Sequence, residues 1–94
     1  MQPDLTLNHF LQQALRRLDH GDFADELRVE TVYRQLAGDL ISRLTPSVQF
    51  SHGILRLRLS SAALRYEMTM RRENLRQRIN DHLGAEAVKE IIIR

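Results

Sequence analysis

The chain has no cysteine and no tryptophan, and only 5% of its residues are aromatic. Without cysteine there is no disulfide framework, no thiolate metal site and no thiol nucleophile, which fits a reducing compartment. No apolar run approaches the roughly 20 residues that a membrane-spanning helix needs. Met1 to Asn8 lacks the basic and uninterrupted apolar regions of a secretory signal. A soluble, cytoplasmic domain is therefore expected. The four histidines stand at 9, 20, 52 and 82 with no ligand spacing such as HxxxH, and no glycine-rich motif is present to cradle a phosphate. Neither a metal centre nor ATP hydrolysis is indicated. Asp19-His20-Gly21-Asp22 has a chemical look but falls where an interhelical turn belongs. The expectation is a protein that is no enzyme and carries no cofactor.

What the chain does have is localised charge. Its 94 residues carry a net charge of +2, unevenly spread. Residues 1–53 hold five basic and seven acidic side chains, and residues 80–94 hold two and three. Residues 54–79 hold seven arginines against Glu67 and Glu73, a balance of +5. Charge concentrated in one segment is the footprint expected of a polyanion-binding surface. A solvated arginine-rich face with local ion pairs is the alternative.

With 43% apolar residues, this length suits one small domain with a single core. Leu7, Phe10, Leu11, Ala14, Leu15 and Leu18 recur at helical spacing, predicting a helix that ends near His20-Gly21. A second helical stripe runs through Leu27, Val32, Tyr33, Leu36, Ala37, Leu40, Ile41 and Leu44. Gly38 interrupts it at a cost of about 1 kcal/mol against alanine, which suggests close packing of another element there. Thr45-Pro46 stops the helix. Val48 to Leu59 then alternates around His52-Gly53, predicting a two-residue hairpin that pairs Phe50 with Leu55, Gln49 with Arg56 and Val48 with Leu57. Ser60 or Ser61 caps a helical segment whose buried stripe is Leu64, Met68, Leu75, Ile79 and Leu83. A straight rod would put Arg71 or Arg72 on that stripe, so two helices with a bend between Met70 and Glu73 are expected. Gly84 closes the second, and Val88 to Ile93 reads as a last strand. Which of Ile91, Ile92 and Ile93 face the core is left open by alternation. The helical segment between second and third strands suits a crossover that joins parallel strands.

Several pieces, in this order and spacing, resemble the DciA family of bacterial proteins that load or operate the replicative helicase DnaB. They are Tyr33-Arg-Gln-Leu-Ala-Gly38, the Thr45-Pro46 break, Gly53-Ile-Leu55-Arg-Leu57, Ser60-Ser61-Ala62-Ala63-Leu64-Arg65-Tyr66-Glu67, Asn80-x-x-x-Gly84 and Val88-Lys-Glu-Ile91. The resemblance covers roughly residues 5–94. It implies an α+β fold like the type II K-homology (KH) domain, with N-terminal helices, a three-stranded mixed sheet and a helix-pair crossover. On this reading residues 1–94 form a single domain, with residues 1–21 as an N-terminal helix and residues 22–94 as the KH-like core. It also implies action at replication initiation, near the nucleoid, in contact with DnaB and with DNA; single-stranded DNA is the expected form, and the residues leave the preference for single over double strands open. No membrane or small-molecule substrate is implied. Tyr33 stands where the family commonly has tryptophan, which keeps a large aromatic. Ending at Arg94, the sequence looks like a short form without the basic C-terminal tail of many members. The stretch Thr69 to Asn74 lacks the glycines of the GXXG loop by which KH domains grip single strands.

The candidate phosphate contacts are Arg56, Arg58, Arg65, Arg71, Arg72, Arg76 and Arg78, because guanidinium forks match phosphate oxygens. On one helix, Arg65, Arg72 and Arg76 would share one face, and Arg71 and Arg78 another. All seven cannot touch one strand, so some are structural or face a protein. Phe50 and Tyr33 are expected in the core; Tyr66 is open to a stacking role. The leading expectation is a helicase-associated DNA-binding protein. An RNA-binding KH-like module in translation or RNA turnover, or a pure protein adaptor, is the alternative.

Overall fold

The structure, a computed structural model, describes residues 23–94. The helix expected over Leu7–Leu18 and the Asp19–Asp22 turn lie outside the described residues. Six elements follow one another: α1 (Phe23–Arg43), β1 (Ser47–Ser51), β2 (Ile54–Arg58), α2 (Ala62–Met70), α3 (Arg72–Leu83) and β3 (Glu90–Ile93). This is an α+β arrangement with a mixed three-stranded sheet ordered β1-β2-β3. Among the described residues no helix is long and apolar enough to cross a membrane.

In α1, acidic Asp25 and Glu26 sit in the first turn and Arg43 in the last, each opposing the helix dipole. Val29 and Tyr33 are buried one turn apart, and Val32, Leu36 and Ala37 pack against the same core. The expected stripe omitted Val29 and included Leu27 and Leu40, which are 50% and 67% exposed. Leu27 lies about 200° around the helix from Val29, on the far side. Leu40 fails for another reason. Gly38 has φ 84 and ψ 175, so the helix breaks there and its phase does not carry across. Close packing, expected of this glycine, is not its role: a Cβ added at Gly38 would meet nothing within 4 Å. Its role is conformational, since that backbone region is essentially glycine's alone.

Arg34 braces the break. Its guanidinium donates to the Ser42 and Thr45 carbonyls at 3.1 and 3.3 Å and to Glu30 at 3.0 Å, and the Ser42 hydroxyl donates back to the Arg34 carbonyl. Carbonyls orphaned at the helix end are thereby satisfied. Gly38→Ala is expected to cost about 1–3 kcal/mol, read as a lower urea midpoint at unchanged m-value. An unchanged midpoint would show that the sequence does not require this kink.

Thr45, 1% exposed, closes the turn. Its single hydroxyl proton goes to the Ile41 carbonyl at 2.7 Å, so in the 2.9 Å bond with Tyr33 the phenol must donate. Burial pushes the Tyr33 phenol above its ordinary pKa.

The hairpin pairs as expected, with Val48 opposite Leu57, Gln49 opposite Arg56 and Phe50 opposite Leu55. His52 and Gly53 both take positive φ, 52 and 78, as a type I′ turn demands. β3 pairs parallel with β2, Leu55 opposite Ile91, Arg56 opposite Ile92 and Leu57 opposite Ile93. That register settles the open question of the last strand: Ile91 is 1% exposed and Ile93 packs against the core, whereas Ile92 lies on the other face. The helix pair breaks at Arg71, inside the expected interval. Ser61, the second of the two candidate caps, accepts the Leu64 N–H, while Ser60 binds the Leu44 carbonyl. The three described helices stack on the Leu55–Leu57 face, where Tyr33, Ile79, Val88 and Ile91 complete the core.

Candidate nucleic-acid interface

Alternation in β2 decides where its arginines go. Leu55 and Leu57 are at most 1% exposed, so Arg56 and Arg58 lie on the opposite face, which carries none of the described helices, beside Gln49 and Ser47. A third arginine joins them. The Arg94 N–H donates to the Leu57 carbonyl at 2.9 Å and its own carbonyl accepts from Leu59 at 2.8 Å, which extends the β3 pairing by one step. Arg94 therefore shares the face of Ile92 and Arg56. Ser47, Gln49, Arg56, Leu57, Arg58 and Arg94 line an open hollow of about 270 Å³. Among the described residues, none of these three arginines forms an ion pair. Arg94 was not foreseen as a site residue. Its signal was the strand parity that Ile91–Ile93 left undecided.

The other five candidates divide four ways. Arg76, its side chain 20% exposed, is turned inward: it bonds Glu73 at 2.6 Å, Glu86 at 3.4 Å and the Val88 carbonyl at 3.2 Å. Arg65, half-buried, donates to the Leu59 carbonyl at 2.9 Å and so ties α2 to the end of β2. Arg71 and Arg78 line a groove between α1 and the α2–α3 pair. Arg72 is exposed at the start of α3 and has no ion pair among the described residues. Helices α2 and α3 are separated at Arg71, so a single helical phase does not carry Arg65 onto one face with Arg72 and Arg76.

Phe50 and Tyr33 are core residues, 6% and 0% exposed, and neither offers a stacking surface. Tyr66 is 68% exposed. Among the described residues no group of three or more histidine, aspartate or glutamate side chains is placed to hold a metal ion.

The Glu73–Arg76 pair has its own pH signature. The hydrogen bond from Arg76 holds the Glu73 carboxyl below its ordinary range, and Glu73 raises the Arg76 guanidinium in turn. A carboxylate whose pKa falls on folding contributes fully above its unfolded value and loses the contribution as pH drops through the folded one. Thermal melts are thus expected to fall with acid below the ordinary glutamate range, and Glu73→Gln to flatten part of that fall. An identical acid profile in the variant would mean that the clasp adds nothing.

A protein-family model described as "Dna[CI] antecedent, DciA" matches residues 6–93. No curated protein matches the chain.

Proposed function

Because this chain belongs to the DciA family, we propose that it is a binding protein of DNA-replication initiation that holds DNA and the replicative helicase DnaB together. The work is one of assembly: ring and strand are brought into contact, and nucleotide chemistry is left to the helicase. The observation that carries the DNA half is the Arg56–Arg58–Arg94 cluster, unpaired among the described residues, on the face away from the described helices. Guanidinium groups held by a sheet meet phosphates in a salt-dependent and largely sequence-independent way.

The fold is read as KH-like, supported by the order helix, strand, strand, helix, helix, strand and by the antiparallel and parallel pairings of β2. The helix junction carries Arg71 and no glycine, so the strand is held by arginines on the sheet instead of a GXXG grip.

Co-purification with DnaB of the same organism, with and without single-stranded DNA, tests the reading. Association that persists at low salt is the expected result, and none under any condition would overturn it. A second reading, an RNA-binding KH-like module, rests on the same arginines, because phosphate contacts do not by themselves tell DNA from RNA. Competition between single-stranded DNA and RNA across a salt series separates the two. Complete absence of salt-sensitive nucleic-acid binding would leave a pure protein adaptor.

A further inference from the structure

The groove at the helix break has a different chemistry from the sheet hollow. Leu36 and Ile41 of α1 face Met68 of α2 and Leu75 of α3 across it, and Arg71 and Arg78 stand at its edge. Its volume is about 150 Å³, well below the roughly 300 Å³ at which small-molecule pockets begin. That is room for an anchoring side chain of a larger partner. Among the described residues the only aromatic lining it is Tyr33, which is 0% exposed, so none of them offers a ring on which a base could stack. The floor is aliphatic, with an adaptable methionine.

Two neighbours in sequence of groove residues are exposed apolar side chains. Leu40, beside Ile41 in the chain, is 67% exposed, and Met70, beside Arg71, is 69% exposed. The Gly38 break is what turns Leu40 outward. Both arginines are available to a partner. Arg78 has no ion pair among the described residues. Arg71 reaches Glu67 only at 3.8 Å, with the side chains 79% and 60% exposed, a geometry worth little in solvent.

We infer that this groove docks an acidic amphipathic helix of a protein partner, with Arg71 and Arg78 reading its carboxylates while an aliphatic anchor fills the floor. Aliphatic anchors flanked by charges are how grooves between helices recognise helical segments. An aliphatic floor with a basic edge selects an acidic partner segment over a nucleic-acid strand. The inference rests on the proposed association with DnaB, and a helix of that helicase bearing acidic side chains is the occupant to which it commits. It moves Arg71 and Arg78 from DNA binding to protein recognition.

The test measures affinity for purified DnaB and for single-stranded DNA with the full chain and two double variants. Arg71→Glu with Arg78→Glu is expected to weaken DnaB binding by about tenfold or more, since like charges would then face each other. Its DNA affinity should stay within about twofold, because the sheet contacts are intact. Arg56→Glu with Arg58→Glu should do the reverse. Lysine at positions 71 and 78 should restore most of the DnaB affinity, and far-ultraviolet circular dichroism checks the fold. A photo-crosslinking p-benzoylphenylalanine placed at Leu40 should attach to an acidic helix of DnaB. Loss of DNA binding with DnaB binding unchanged in the 71/78 variant would overturn the inference. So would crosslinks that fall on residues 1–22 of this chain or on a second copy. If the wild-type chain fails to bind DnaB at all, the proposed function falls as well, whereas binding untouched by the 71/78 variant sinks the groove alone.

Discussion

Reversing Arg56 and Arg58 to glutamate is expected to reduce affinity for single-stranded DNA by about two orders of magnitude at low salt and to flatten its salt dependence. For single strands each phosphate contact contributes about 0.7 to the slope of log K against log salt, so losing two should lower the slope by about 1.4. Repulsion from the new carboxylates adds to the loss. The fold should survive, because the core side of β2 is Leu55 and Leu57 and neither is touched. The two arginines face Gln49, Ser47 and Ile92, so no described charge pair is broken. Arg76→Glu is the informative contrast. That side chain is pinned by Glu73, Glu86 and the Val88 carbonyl, so its reversal should lower the melting temperature while the salt slope stays near the wild-type value. Fluorescence anisotropy over a salt series reads both variants. A 56/58 variant that binds DNA like the wild type would remove the sheet face from the interface.

The fate of the seven arginines shows where sequence reasoning holds. Arg56 and Arg58 were legible because a hairpin with a two-residue turn has one register, and a slip of one position would have buried both guanidiniums. Local signals served equally well for the Ser61 cap, the break at Arg71 and the Gly84 terminus, each decided within about four residues. Arg76 was legible only as the partner of Glu73 in a local ion pair. Glu86 and Val88, which fix it, are ten and twelve residues away and meet it only once the chain has turned back towards β3. Arg94 depended on the parallel register of β3, which three consecutive isoleucines conceal. Gly38 misled because a glycine in a helical pattern has two explanations, packing and backbone freedom, and only the φ/ψ values choose between them. Leu40 followed from that choice.

Asn80 is expected to be the most costly single polar residue to lose. It is 3% exposed, and its amide pairs with the backbone of Val88 as another strand would: Nδ2 donates to the Val88 carbonyl and Oδ1 accepts the Val88 N–H, both at 2.9 Å. Its own carbonyl accepts from Gly84 and Ala85, so a single residue ends α3 and holds the segment that leads into β3. In Asn80→Ala the Val88 N–H loses its partner beside a residue that is 0% exposed, while the carbonyl keeps only Arg76. A buried unpaired donor plus a small cavity costs about 2–4 kcal/mol. For a domain of this size that lowers the melting temperature by about 10–25 °C. Asn80→Asp separates the two bonds. Its carboxylate still accepts the Val88 N–H but faces the Val88 carbonyl without a donor, and burial raises its pKa. A group whose pKa rises on folding contributes most at low pH, so Asn80→Asp should recover stability as pH falls, against the trend set by Glu73. Asn80→Ala should show no such recovery. Differential scanning calorimetry from neutral pH to pH about 4, the ordinary carboxylate range, reads all three proteins. An Asn80→Ala melt within about 2 °C of wild type would mean that water or a backbone shift replaces the amide at Val88.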